Sequence, residues 1–396
     1  MMELSRDLEA ALGGAKGPRY AELLRILVAL GELNDAPRLI PVWSVQLSGI
    51  SFKTMGTPGT EFLEDAAREV RFSVPTTINP AGYDVGGPGI VPASEDFKEK
   101  QQRIVRSLLA MGAISTFSCT PYTTQYSPPP GAHLAWAESS AVIYSNSVIG
   151  AFSNREGAPS ALASAVTGFT PEYGLHLPEG RRAQAVINVE SSKDLHYSSL
   201  GAYLGKLLGS RIPFIRGIHP DLDDLKAMGS AMSAWGSVPM FHVEGVTHEA
   251  ERQVLSGLET YHVGPKEITQ FERTLGLDGD EPSLIAIGCP HATAGELRYL
   301  ARVIRERRGG KIKPGIEVWA CTNRQVIQEN PDTVAFLTAA GVKVIQDTCM
   351  VVAPIGTSYP VIAVNSAKAA FYASKRSFSG QKVLYATTEE LIDRWA

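Results

Sequence analysis

The sequence has no basic block, no long apolar run and little cysteine, and each shortage excludes a class of function. Its 396 residues carry 37 Lys and Arg against 41 Asp and Glu, a net charge of −4. Binding to nucleic acid calls for a concentrated basic patch, and none is present. No apolar stretch approaches the roughly 20 residues that span a bilayer. The first residues, Met1-Met2-Glu3-Leu4-Ser5-Arg6-Asp7, lack the basic-then-apolar plan of a secretion signal. A cytoplasmic protein with neither nucleic-acid nor membrane partners is expected. In that compartment the four cysteines should be free, catalytic or metal-bound rather than disulfide-bonded.

Several chemical motifs are missing too. No C-x-x-C or H-x-x-x-H spacing occurs, which argues against a zinc site. Val85-Gly86-Gly87-Pro88-Gly89 runs through proline rather than into a helix, and Asn365-Ser366-Ala367-Lys368 lacks the glycines of a phosphate loop. There is no internal repeat, coiled coil or low-complexity segment.

What is present is alternation. Apolar periodicity predicts helices over 19–33, 60–70, 94–111, 132–149 and 158–167, with strands at 38–43, 71–74 and 113–118 between them. Gln184–Glu190 alternates like a strand, followed by helices over 198–208 and 221–235 and a strand at 239–243. The last third repeats the pattern, with strands at 284–288, 316–320, 342–345, 361–364 and 382–385, and helices over 295–308, 331–340 and 366–374. Strands alternating with helices indicate mostly parallel sheets covered on both faces, an α/β fold.

Each cysteine closes one of the predicted strands: Cys119, Cys289, Cys321 and Cys349. Ligands of open α/β sheets bind outside the carboxyl ends of the strands. Thiols at such ends can converge on one metal centre, although a lone cysteine is ordinarily a small buried apolar residue. Spacing alone does not choose among the four. His291, beside Cys289, is the one suggestively placed histidine. Ser51 and Lys53 follow the first strand and are suited to an anion. Asn79 offers donor and acceptor groups in a rigid, polar segment. Glu138 sits in small, apolar company where an unpaired carboxylate is expensive to bury. Arg155 can clamp a carboxylate or phosphate, or form an ordinary ion pair. Asn365 is suited to cap a helix, with Lys368 adding charge.

The segments Val45–Thr54, Pro75–Gly82, Cys119-Thr120-Pro121-Tyr122, Ala135–Ala141, Asn154-Arg155-Glu156-Gly157, Gly288-Cys289-Pro290-His291, Asp347-Thr348-Cys349 and Asn365-Ser366-Ala367-Lys368 resemble the large, catalytic subunit of the aconitase X family, a branch of the aconitase superfamily. The resemblance covers nearly the whole chain. It implies an aconitase-like α/β fold of several subdomains. These would be residues 1–180 with the first cluster cysteine, 181–275, and 276–396 with the others.

The resemblance also implies dehydration of a small anionic substrate by an iron–sulfur cluster. Cys119, Cys289 and Cys349 would hold that cluster, while Cys321 matches a variable position. A [4Fe-4S] cluster with one iron open to substrate is the first reading and [2Fe-2S] the alternative. The small swivelling domain of such enzymes is expected to be absent from this chain. It is expected on a separate small subunit, which would carry the proposed catalytic serine.

By motif, Gly49, Ile50, Ser51, Asn79 and Pro80 would meet substrate. Glu138 and Ser139 would act near cluster and substrate, and Asn365, Ser366 and Lys368 would bind its anionic groups. Two-chain archaeal members dehydrate (R)-5-phosphomevalonate to trans-anhydromevalonate 5-phosphate in isoprenoid synthesis, and bacterial members dehydrate cis-3-hydroxy-L-proline. The segments Arg38–Val42, Phe62–Asp65 and Pro171–Leu177 resemble the archaeal type. Two competing expectations remain: a cluster-free binding or scaffold protein of the same fold, and a zinc hydrolase built on the same cysteines.

Overall fold

Short, buried parallel strands alternate with capped helices in a computed structural model that describes residues 2–190, 195–254, 256–276, 281–374 and 380–396. In the first part, β1 (Leu39–Pro41) pairs antiparallel with β5 (Phe169–Pro171), and a parallel sheet has the order β3-β2-β4. Its strands are β2 (Ser44–Leu47), β3 (Thr76–Ile78) and β4 (Leu134–Trp136). Single bridges widen it, Thr77 to Ile114 beside β3 and Trp136 to Arg155 beside β4.

The helices around this sheet start and stop where the sequence directs. Ser94 caps Glu95–Met111 by accepting from the Phe97 amide at 3.2 Å, and Gly112 ends the helix at φ 103. The helix Phe52–Glu69 bends at Gly56.

The middle part holds a parallel sheet of order β8-β7-β6-β9, made of β6 (Ala185–Val189), β7 (Pro213–Arg216), β8 (His242–Val243) and β9 (Thr260–Val263). Helices Tyr197–Leu208 and Leu222–Gly236 cross closely beside it. A side chain at Gly201 would lie 2.1 Å from the Met228 carbonyl, so only glycine permits this approach.

The last part is a doubly wound parallel sheet of order β12-β11-β10-β13-β14. It comprises β10 (Leu284–Ala292), β11 (Glu317–Thr322), β12 (Val342–Ile345), β13 (Val361–Val364) and β14 (Lys382–Tyr385). Alternate residues of β10 face opposite layers. Leu284 and Ala286 join one apolar cluster, and Ile285 and Ile287 the other. Cys289, Cys321 and Cys349 all belong to the first of these layers.

Several local expectations need correction. No strand covers 71–74 or 113–118. The second of these segments is extended, held to β3 by bonds from the Ile114 amide to Thr76 and the Ser118 amide to Ile78, with Phe117 in the left-handed region. The helix expected over 132–149 is strand β4, then a helix Ser139–Tyr144 and a π-helical turn. Glu138 breaks the segment there by capping the helix that follows it. Strands β2, β3, β7 and β9 fall outside the expected strands; with three or four residues each, they show no period of their own. Cys289 lies inside β10 rather than at its end.

Candidate active site

Loops from the carboxyl ends of the first and last sheets interlock. The Ser51 hydroxyl donates to the Val352 carbonyl at 2.9 Å, and the Lys53 ammonium donates to the Val351 and Ala353 carbonyls. The Ala81 amide donates to the Asp347 carbonyl at 2.8 Å. Asp347 is fully buried and takes a bidentate grip from Arg324, at 2.6 and 2.7 Å. Gln101 holds the first-sheet loops together: its side chain accepts from the amides of Phe52 and Gly82 and donates to the Ile50 carbonyl. Ser51 and Lys53 thus tie the chain to itself.

Glu138 lies where the two edges meet. Its carboxylate accepts from the Lys368 ammonium at 2.5 Å, from the Ser140 hydroxyl at 3.1 Å and from the Asn79 amide at 2.7 Å. Lys368 also donates to the Ser140 hydroxyl at 2.8 Å. Behind Asn79, the Gln46 amide donates to the Asn79 carbonyl oxygen at 2.9 Å. Burial alone would raise the Glu138 carboxyl. The Lys368 charge and these hydrogen bonds outweigh it and hold the group at about 2. Burial likewise disfavours the Lys368 ammonium, but Glu138 keeps it charged, well above its ordinary range.

The other expected site residues fall around this pair. Asn79 and Pro80 are buried at the end of β3, and Ser139 is buried as the first residue of its helix. Gly49, at φ 74, makes the exposed turn after β2, and Ile50 is buried behind it. Ser366, not Asn365, caps the helix Ala367–Ala373, accepting from the Ala369 amide and donating to the Cys289 carbonyl. The Asn365 side chain instead reaches the Thr388 hydroxyl at 3.0 Å. Asn365, Ser366, Cys289 and Pro290 line a cavity of about 780 Å³ with Ser198 and Lys226 of the middle part. Arg155 is exposed beside β4 and, among the described residues, forms no ion pair.

All four cysteines are buried and free. Burial pushes the Cys119 thiol up to about 12 and raises Cys289, Cys321 and Cys349 as well. Lys368 pulls Cys119, Cys289 and Cys349 the other way, but no such pull acts on Cys321. Cys349 and Cys119 in turn raise Cys321, so all four thiols lie within electrostatic reach of one another. The His291 amide donates to Cys119 Sγ at 3.2 Å, and the amides of Val351 and Val352 point to Cys349. Around them the His291 Nδ1, Thr348 Oγ1 and Tyr122 hydroxyl atoms are buried without a protein partner.

This donor set fits a sulfur-rich cluster, in which each thiolate binds its own iron and amide and hydroxyl groups approach the sulfurs. Among the described residues, no three His, Cys, Asp or Glu side chains converge on a single ion.

Sequence reasoning passed over Gln46, Gln101, Ser140 and Arg324. Gln101 had a signal: it shares a buried helical face with Ile104, Val105 and Leu108, and an amide on such a face needs partners. Arg324 had none, since its partner Asp347 lies 23 residues away in a different loop.

Comparison with known proteins adds the decisive observation. Family models for the first, second and third domains of aconitase X match residues 1–179, 183–273 and 282–395. The chain belongs to the aconitase X family. It is 40% identical to the phosphomevalonate dehydratase large subunit of Methanosarcina mazei, over 99% of this chain and 97% of that one. Identity to the protein of the same name from Methanothermobacter thermautotrophicus is 42%, covering 93% of each. The cis-3-hydroxy-L-proline dehydratase of Pseudomonas aeruginosa is 34% identical over 92% of this chain and 65% of its own length. The crystal structure of Thermococcus kodakaraensis aconitase X in its holo-form superposes with a TM-score of 0.92 at 37% identity, covering all of both chains. No helix among the described residues is long and apolar enough to cross a membrane.

Proposed function

We propose that this aconitase X chain is the large subunit of a phosphomevalonate dehydratase, a hydro-lyase that removes water from (R)-5-phosphomevalonate to give trans-anhydromevalonate 5-phosphate. The observation that carries the reading is the near-full-length identity to archaeal large subunits of that name. Three α/β units, 1–180, 181–275 and 276–396, build the protein, each with its own parallel sheet.

Cys119, Cys289 and Cys349 hold an iron–sulfur cluster, read as [4Fe-4S] with [2Fe-2S] as the alternative. When bound, the cluster supplies Lewis acidity for departure of the substrate hydroxyl. The residues around it bind and orient. Glu138, held ionised, fixes both Lys368 and Asn79. An ammonium has three donors and Glu138 and Ser140 take two, so Lys368 keeps one N–H for a substrate anion. Asn79 likewise retains an amide hydrogen. Ser139 and Glu138 stand closest to the reacting atoms, and Gly49, Ile50, Ser51, Pro80, Asn365 and Ser366 shape the cleft. With its carboxyl at about 2, Glu138 is a poor proton acceptor at neutral pH. The family resemblance, rather than anything in this chain, suggests a serine of a separate small subunit as the base.

A second reading, cis-3-hydroxy-L-proline dehydratase, is favoured only by the more distant relatives. Anaerobic assay of the assembled large and small subunits separates the two. Product is expected from (R)-5-phosphomevalonate and none from cis-3-hydroxy-L-proline. The opposite pattern would replace the substrate and leave the dehydratase class standing.

A further inference from the structure

Tyr122 stands three residues after Cys119, on the single helical turn Pro121–Thr123. That turn is anchored. The Thr123 amide bonds the Thr120 carbonyl at 3.0 Å, and Asn323 from the last sheet donates to the Thr123 hydroxyl at 3.1 Å. The Tyr122 ring stacks on Tyr144 with centroids 4.0 Å apart and planes 11° from parallel. It packs against Leu134, Trp136 and Val142. The ring is therefore fixed on all sides by protein, yet its hydroxyl oxygen is buried and has no protein partner. Buried tyrosine hydroxyls usually find one, because an unsatisfied hydroxyl away from water is costly.

Ionisable groups, Cys119 among them, lie around the hydroxyl. Burial raises its pKa well above the ordinary value, and Tyr144, Cys119, Glu296 and Glu138 raise it further. The phenol stays protonated, so it can act only as a donor toward that side. A substrate that comes and goes needs an open path to the group it meets, and this oxygen has none. A resident group of sulfur acceptors beside Cys119 needs no such path.

We propose that the Tyr122 hydroxyl donates a hydrogen bond to a sulfur of the iron–sulfur centre held by Cys119, Cys289 and Cys349. This rests on the cluster reading given above. Donors to cluster sulfurs are among the groups that set its reduction potential, so Tyr122 would tune the cluster and help retain it.

The test compares wild type with Tyr122→Phe, both as metal-free chain and after anaerobic reconstitution with ferrous iron and sulfide. Without metal, the variant should unfold at the same denaturant midpoint as wild type or a higher one, because the lost hydroxyl had no protein partner. With the cluster, its reduction potential should shift to more negative values, and a chelator should strip its iron several-fold faster. A lowered midpoint of the metal-free variant, or failure to fold, would overturn the proposal by giving the hydroxyl a structural role. Unchanged potential and unchanged iron loss would overturn it as well. If wild type itself takes up no iron and sulfide, the functional reading falls, and that result is visible before the variants are compared.

Discussion

Replacing Lys368 with Met is expected to lower the unfolding free energy by about 3–5 kcal/mol at neutral pH, the usual consequence of removing one partner of a buried ion pair. The two side chains are 6% and 16% exposed, so solvent screens them little. Glu138 would be left as a buried charge with only neutral donors. The pH dependence follows from the direction of each shift. In wild type the Glu138 carboxyl is depressed to about 2. Its contribution is present above the ordinary carboxylate range and is lost as pH falls through about 2. Lys368 is raised, so its contribution holds below the ordinary lysine range and fades only as pH climbs through the higher folded value. The pair is therefore at full strength from about pH 5 to pH 10.

In the Met variant, burial raises the Glu138 pKa, and protonation relieves the strain as pH falls. The stability gap between wild type and variant should narrow steadily on acidification. A Lys368→Met, Glu138→Gln double variant should recover most of the stability but not turnover, which is expected to stay reduced by at least about a hundredfold. Urea unfolding across pH 3–8 checks this. A constant gap, or none, would mean that the pair is not the coupled, buried unit described.

The second large effect concerns the thiols. Cys119→Ser, Cys289→Ser and Cys349→Ser should each abolish retention of iron and sulfide and the broad visible absorption that accompanies them. Cys321→Ala should keep both. Cys321 sits buried in β11 with its backbone in register with Ile345. Substitution there exchanges one small buried group for another. Iron and acid-labile sulfide measured after anaerobic reconstitution distinguish the two outcomes. Loss of the cluster in Cys321→Ala, or its retention in any of the other three, would redraw the ligand set.

Much of the fold was legible in the sequence, for physical reasons. Strand–helix alternation announced the last sheet, because its helices are long enough to show a period and its strands are continuous apolar runs. Glu138 announced itself as a carboxylate in apolar company, and the structure supplies the partner that such burial requires. The first sheet was harder. Strands of three or four residues carry no readable period, so β2 and β3 lie outside the expected strands and β4 falls within an expected helix. Pairings between loops far apart in the chain, such as Arg324 with Asp347 or Lys53 with Val351, leave no trace in local pattern. Position at strand ends nominated all four cysteines alike. The proposal of Cys119, Cys289 and Cys349 over Cys321 rests on the family motifs, and the thiol substitutions above test it.

The proposed loss of water depends on one proposed centre, the cluster held by Cys119, Cys289 and Cys349. The most direct measurement is turnover of (R)-5-phosphomevalonate by the assembled large and small subunits as a function of cluster content. Formation of trans-anhydromevalonate 5-phosphate is predicted to rise in proportion to bound iron and sulfide, and to be absent from the metal-free complex. Full turnover by a complex without iron, or none by a fully loaded one, would contradict it.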